Sequence, residues 1–220
     1  MNAQKRSTDW EKLFRVACAI IRQANATQTI IDHWTFGGGT AMMLQIDHRE
    51  SHDVDIFLSD PQVLPFLNPQ TQNYELEIWP TDYEGDGTRA LKLAFQDIGE
   101  IDFIVASSLT TAPTTPTTVE GEKVLLETIP EIITKKIYHR GLSIKPRDIF
   151  DIAAAGEKHA DSVIAELKPY KVEVIKALST MEKLNPDFVN KAISQLTIKA
   201  NYEAVAKTAI NRTKEILLAV

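Results

Sequence analysis

The sequence predicts an α+β fold: a mixed β-sheet core with flanking helices, followed by an all-helical C-terminal domain. Three observations predict it. Short alternating segments cluster between residues 33 and 105. A stretch poor in charge and rich in Thr and Pro, SSLTTAPTTPTT, covers residues 107–118. Beyond it the apolar positions recur at helical spacing, punctuated by Gly141, Pro169 and Pro186. The expected division is a core over residues 1–118 and a helical domain over 119–220.

The elements follow in order. Trp10, Leu13, Phe14, Ala17, Ile20 and Ile21 line one face of a helix over residues 9–24. Residues 33–36 form a short aromatic strand that enters Gly37-Gly38-Gly39, and TAMMLQ opens a helix at residue 40. Val54, Ile56 and Leu58 alternate with Asp55 and Phe57, as a half-buried strand does. Residues 61–67 form a short helix or irregular turn. Residues 74–79, 89–95 and 101–105 alternate as strands, with the turn cluster TDYEGDGT between the first two. A sheet of about four to six strands results. Residues 107–118 form a linker or long loop. Helices are expected over 129–140, 146–159, 161–181, 187–196 and 202–218.

Composition narrows the class. The chain has 220 residues, 44% hydrophobic and 25% charged, close to soluble globular averages. A chain of this length buries roughly 70% of its unfolded surface. One cysteine, Cys18, excludes an internal disulfide and a Cys-rich metal site, and its place on the apolar face of the first helix suits a core. No apolar run approaches the ~20 residues of a membrane span, and the first fourteen residues lack a signal-length apolar stretch. A cytoplasmic location is expected. Thirty acidic against 24 basic residues give a net charge of −6, which argues against broad nucleic-acid binding. The charge is uneven: residues 47–102 hold 13 acids and 3 bases, and residues 135–147 hold 5 bases and no acid.

The chemistry concentrates in FGGGTAMMLQIDHRESHDVDIFL, residues 36–58. Glycines between a strand and a helix allow close backbone approach to a ligand, and a helix N-terminus attracts anions. No GK[ST] follows, so this is not a Walker loop. Asp53 and Asp55 stand at i and i+2 and project on one strand face, opposite Val54, Ile56 and Leu58. Adjacent carboxylates repel unless a cation joins them, and hard oxygens suit Mg²⁺. Asp102 lies within the apolar run IDFIV, where an acid needs a cation, a hydrogen bond or solvent. Beside the Asp53/Asp55 strand it would complete a three-carboxylate site for phosphoryl transfer. Other features carry less. DYEGDG begins like an EF-hand loop, but its twelfth position is Leu93. The five histidines have no zinc spacing, and the three tryptophans are too scattered for a stacking platform.

A Gly-Gly turn opening a helix, Asp-x-Asp on a strand and an acid on a later strand resemble the DNA polymerase β-like nucleotidyltransferase superfamily. GGTA followed by R-x-S-x-D-V-D-I-F is similar to the AbiEii/AbiGii toxin family, on Gly38, Gly39, Thr40, Ala41, Arg49, Ser51, Asp53, Asp55 and Phe57. A downstream K…R…RDxxD pattern matches Lys136, Arg147, Asp148 and Asp151, with Lys135 the alternative for the first position. The two motifs bracket most of residues 34–155. The loop over residues 141–145 lengthens the spacing before RDIFD, and nothing specific matches from about residue 160 onward.

The resemblance implies an enzyme that transfers NMP from an NTP to a hydroxyl, the toxin of a toxin–antitoxin or phage-defence system. It implies two Mg²⁺ ions on Asp53, Asp55 and Asp102. Gly38, Gly39 and Thr40 would hold the β/γ-phosphates, with Arg49 and Ser51 as further nucleotide contacts. Ser51 either bonds a phosphate or caps its loop. Lys136 and Arg147 would contact triphosphate or acceptor. Asp148 is either a catalytic acid or a structural ion pair. The tRNA 3′ end is the expected acceptor and an antitoxin the expected partner, with no membrane. The rival readings are a non-catalytic nucleotide-binding protein on the same fold, or a transferase for a small molecule or protein hydroxyl.

Overall fold

The computed structural model describes residues 9–220. Residues 1–8, which enter the sequence reading only as part of a stretch without a signal-length apolar run, lie outside the described residues. Contacts divide the chain into two units. One takes residues up to 41, 51–107 and 114–127; the other takes 42–50, 108–113 and 128–220. Among the described residues no helix is long and apolar enough to cross a membrane.

The first unit contains helix α1 (Trp10–Ala24) and the strands β1 (Trp34–Gly37), β2 (Val54–Leu58), β3 (Asp82–Gly85), β4 (Ala90–Phe95), β5 (Gly99–Val105), β6 (Thr114–Val119) and β7 (Glu122–Glu127). They form one sheet in the order β3-β4-β5-β2-β1-β7-β6. The pairs β2/β5 and β1/β7 are parallel, and the remaining neighbours are antiparallel. One face is core: Leu91, Leu93, Phe95, Ile101, Phe103, Val54, Ile56 and Phe36 are buried. α1 packs on that face through Leu13 and Phe14, with the Phe14 and Phe36 rings 4.9 Å apart. Helix α2 (Gly38–Ile46) starts at the end of β1.

Several segments differ from the sequence reading, and the sheet has seven strands in place of about four to six, with β7 not expected. Residues 107–118 are not a linker throughout: β6 begins at Thr114 and pairs along its length with β7. The β-branched threonines suit a strand, and Pro116 is tolerated because β6 is the sheet edge. The turn between them holds Glu120 at φ 49° and Gly121 at φ 82°, the left-handed pair of a tight hairpin. Residue 118, the expected domain boundary, therefore falls inside β6. Residues 74–79 are not a strand. The Gln23 side-chain amide takes the place of a neighbouring strand there: Glu75 N–H donates to Gln23 Oε1 (2.8 Å), and Gln23 Nε2 donates to the Glu75 carbonyl (2.9 Å). The TDYEGDGT cluster contains β3 as well as a turn, whose Asp86 carboxylate accepts from the N–H groups of Thr88, Arg89 and Ala90.

The second unit is helical: α3 (Ile129–Arg140), α4 (Pro146–Leu167), α5 (Lys171–Lys183), α6 (Pro186–Ser194), α7 (Glu203–Lys207) and α8 (Ala209–Leu218). α4 runs unbroken past the break expected near residue 160, and Pro169 sits in a short 3₁₀ turn before α5. α4 packs on α3 and α8, and buried Thr213 Oγ1 donates to the Ile149 carbonyl at 2.7 Å. Gly141 is needed for contact: a Cβ there would stand 2.9 Å from the Glu173 carbonyl oxygen on α5.

Candidate active site

The strand registers assemble a row of residues across the open face of the first unit's sheet. Glu84 pairs with Lys92, Lys92 with Asp102, Asp102 with Asp55, and Asp55 with Gly37. Directly opposed residues project to the same face. Lys92, Asp102 and Asp55 are half-buried between core neighbours in their own strands. Glu100 lies two residues from Asp102 on the same face of β5, and Asp53 lies just before β2. Asp53 Oδ1 accepts from the Glu100 N–H at 3.2 Å, which ties the start of β2 to β5. Asp55 and Asp102 thus face each other on adjacent parallel strands, with Asp53 just before β2.

The glycine turn closes on this row. Gly38 has φ +69°, a left-handed conformation that L side chains rarely adopt. An added Cβ would lie 1.8 Å from Asp55 Oδ2, so the backbone of the turn rests directly against the carboxylate. Gly38 and Gly39 occupy the first turn of α2, where N–H groups have no partner within the helix. The Thr40 hydroxyl donates to the Asp53 carbonyl, locking the helix start to the strand start. Ser51 is 8% exposed, just before Asp53.

Three neighbours were not singled out from the sequence. Lys92 Nζ stands 3.2 Å from Asp102 Oδ1 and 3.3 Å from Oδ2, and it also pairs with Glu100. Glu127, 1% exposed, accepts from Thr35 Oγ1 at 2.7 Å, and a Cβ on Gly37 would meet its Oε2 at 2.2 Å. The sequence signal for Lys92 is a lone cation alternating with Leu91 and Leu93. Its partner is visible only once strand order is known.

Electrostatics at the row follow from two carboxylates sharing one ammonium. Burial pushes the Asp102 carboxyl above the usual carboxylate range; Lys92 opposes this, and Glu100 and Asp53 reinforce it. Burial opposes the charged Lys92, but Glu100 and Asp102 outweigh it and hold the ammonium above its ordinary value. Among the described residues no group of three His, Cys, Asp or Glu forms a ready-made metal cage. The donor set nevertheless fits Mg²⁺, which is commonly held by one or two carboxylates and completed by substrate phosphates and water.

The remaining expected residues are brought together in the second unit. Arg49 grips Asp151 with both arms, Nε to Oδ1 at 2.7 Å and Nη2 to Oδ2 at 2.9 Å. Lys136 Nζ reaches Asp148 Oδ1 (2.8 Å) and Asp151 Oδ2 (3.0 Å), and Arg140 lies 3.5 Å from Asp148. His48 Nε2 meets Asp151 Oδ1 at 2.9 Å, stacked on Phe150. Asp148 also accepts from the Lys145 N–H at 3.1 Å, closing the start of α4. Lys135 goes elsewhere, to Glu131 at 3.5 Å, so the two lysines serve different carboxylates. Burial resists ionisation of Asp151, yet Arg49, Lys136 and His48 hold it well below the usual carboxylate range. Burial resists Asp148 likewise, and Lys136 and Arg140 lower it. Arg147 is exposed.

The sequence matches the model of the nucleotidyl transferase AbiEii toxin family, type IV toxin–antitoxin system, over residues 20–215. No curated protein matches the chain. Among solved structures it is similar to MenT4, a nucleotidyltransferase toxin from Mycobacterium tuberculosis H37Rv, at 13% identity and a TM-score of 0.56, covering 99% of this chain and 86% of that one. It is similar also to JHP933 from Helicobacter pylori, at 16% identity and a TM-score of 0.50, covering 99% and 93%. At such identities these likenesses speak to the fold. The family match spans most of the chain, including both charged clusters: the chain belongs to the AbiEii family of nucleotidyltransferase toxins of type IV toxin–antitoxin systems.

Proposed function

We propose that this nucleotidyltransferase transfers NMP from an NTP to a hydroxyl acceptor in a Mg²⁺-dependent reaction, with the tRNA 3′ end as acceptor and an antitoxin as its counterpart. The observation that carries the reading is the register pair Asp55–Asp102 on adjacent parallel strands, with the Gly38 backbone against Asp55.

In this reading Asp53, Asp55 and Asp102 hold the metal. Bound Mg²⁺ supplies charge neutralisation for the triphosphate and acidifies the attacking hydroxyl. The backbone N–H groups of Gly38 and Gly39 bind β- and γ-phosphate oxygens, as helix N-termini do. Thr40 keeps the turn in place through its bond to Asp53. Ser51 supports the approach to Asp53, and Arg49 acts at one remove, through Asp151. The acceptor oxygen bonds to the α-phosphorus as the α–β bridge breaks. Pyrophosphate leaves, and the hydroxyl proton passes to a carboxylate of the cluster. Lys136 and Asp148 act as a pair: Asp148 orients the ammonium, which offers positive charge to the acceptor. The exposed Lys145 and Arg147 offer phosphate contacts to an RNA acceptor.

The test is incubation of total cellular RNA and protein with each of four α-³²P NTPs and Mg²⁺, resolved on a gel. A tRNA-sized labelled band, lost in Asp55→Asn, is expected. Label confined to protein, or to a small molecule, would replace the acceptor and keep the reaction. Undiminished label in Asp55→Asn would overturn the metal assignment.

A further inference from the structure

We propose that Lys92 is the resident counter-ion of the carboxylate site. It neutralises Asp102 together with Glu100 while no divalent cation is bound, and keeps Glu100 alone when one arrives. This inference rests on the reading of Asp55 and Asp102 as cation carboxylates.

The geometry has three parts. Lys92 stands directly opposite Asp102 on antiparallel β4 and β5, and Glu100 is two residues along β5 on the same face. One ammonium therefore reaches two carboxylates from a single Cα. The ammonium bridges the two carboxylates: it pairs directly with Glu100 and stands 3.2 and 3.3 Å from the two Asp102 oxygens. The lysine side chain is 32% exposed and Glu100 41%, against 20% for Asp102, so the retained partner lies on the solvent side of the site. Without a cation, Asp53, Asp55, Glu100 and Asp102 would crowd together, and like charges disfavour ionisation. Lys92 relieves that crowding. The same charge must yield when a dication binds, because a single positive charge about 5 Å from a dication weakens its binding by about tenfold even at the dielectric of water. Glu84, which faces Lys92 from β3, supplies a charge on the far side from Asp102 and serves as a control.

The experiment measures Mn²⁺ binding to the nucleotide-free full-length chain, from the electron-paramagnetic signal of free Mn²⁺. Lys92→Met keeps the aliphatic stem and removes the charge; it is expected to tighten Mn²⁺ by about tenfold or more. Lys92→Arg should remain within about twofold of wild type. Glu100→Gln removes the retained partner and should weaken Mn²⁺ in the wild-type background but much less beside Lys92→Met, a coupling read from the double-mutant cycle. Glu84→Gln should show no such coupling. Melting supplies a second readout: in EDTA, Lys92→Met melts below wild type, and Mn²⁺ raises its Tm by more. Lys92→Gln, with a polar head, is measured in parallel should Lys92→Met unfold. Equal or weaker Mn²⁺ binding in the charge-removed variants overturns the role of Lys92. Mn²⁺ binding unaffected by Asp55→Asn in every background overturns the carboxylate reading instead. Absence of Mn²⁺ binding in all variants at millimolar metal overturns both.

Discussion

Gly38→Ala perturbs the point where the glycine turn meets the carboxylate row. The substitution forces a side chain to φ +69°, which costs about 1–2 kcal/mol in the left-handed region. The new methyl would also fall 1.8 Å from Asp55 Oδ2, 2.4 Å from its Cγ and 2.8 Å from its Cβ. Turning the carboxylate clears the first two atoms but not the third, so the strand or the turn must shift as well. Overpacking of this kind costs about 1–3 kcal/mol. We expect a loss of about 3 kcal/mol, read from urea unfolding, and a fall in Tm of about 6–12 °C at this chain length. The clash component is separable. In an Asp55→Gly background, Oδ2, Cγ and Cβ are all gone, and Gly38→Ala should cost only about 1–2 kcal/mol, chiefly the backbone term. An equal cost in both backgrounds would show that Asp55 is not what the turn rests against. A cost below about 0.5 kcal/mol in wild type would refute the strained turn itself.

Further expectations follow from the two charged clusters. Asp151→Asn leaves Arg49 and Lys136 buried without their shared carboxylate; a loss of about 3–5 kcal/mol in unfolding experiments is expected. Asp148 and Asp151 are both held low in the folded state, so their contribution is complete above the unfolded carboxylate value of about 3.9. It is lost as pH falls through the folded-state values, so the gap between wild type and Asp151→Asn should hold at neutral pH and narrow only in acid, measured by melts across pH. Asp102 has the opposite sign: its carboxyl is raised, so the ionised form opposes folding at neutral pH and protonation relieves it. Asp102→Asn should melt no lower than wild type in EDTA, while losing at least about 10²-fold in transfer rate. A saturating, non-transferable NTP analogue with Mg²⁺ at about 100 times its Kd should stabilise the protein by roughly 2.7 kcal/mol in melting experiments, and Asp55→Asn should erase the shift.

Local pattern made much of the site legible. Alternation of Asp55 with Val54, Ile56 and Leu58 fixed which face the carboxylate takes, and the glycines before TAMMLQ marked the turn. Pairing between distant strands was not legible. Lys92 lies ten residues from Asp102, and nothing in either segment says that β4 and β5 put them opposite one another. β7 hid because its apolar run VLL is bounded by charged residues and follows a stretch whose Thr and Pro content reads as a loop. Residues 74–79 alternate convincingly, but the Gln23 amide satisfies the backbone of Glu75, and Pro80 donates no hydrogen bond. The different targets of Lys135 and Lys136 reflect their places on α3: Lys135 stands one turn from Glu131 on the same helix, and Lys136 reaches Asp148 and Asp151 on α4. Nothing in the sequence marks His48 for the core, yet it is fully buried against Asp151, a contact made across about a hundred residues of chain.

The most direct test of the central claim is a side-by-side comparison of α-³²P and γ-³²P NTP with the acceptor fraction and Mg²⁺, in wild type and Asp55→Asn. Nucleotidyl transfer breaks the α–β bridge, so α-label should enter the acceptor, γ-label should stay out of it and appear in pyrophosphate, and both outcomes should vanish in Asp55→Asn. Entry of γ-label into the acceptor, or α-label transfer undiminished by Asp55→Asn, would contradict the account.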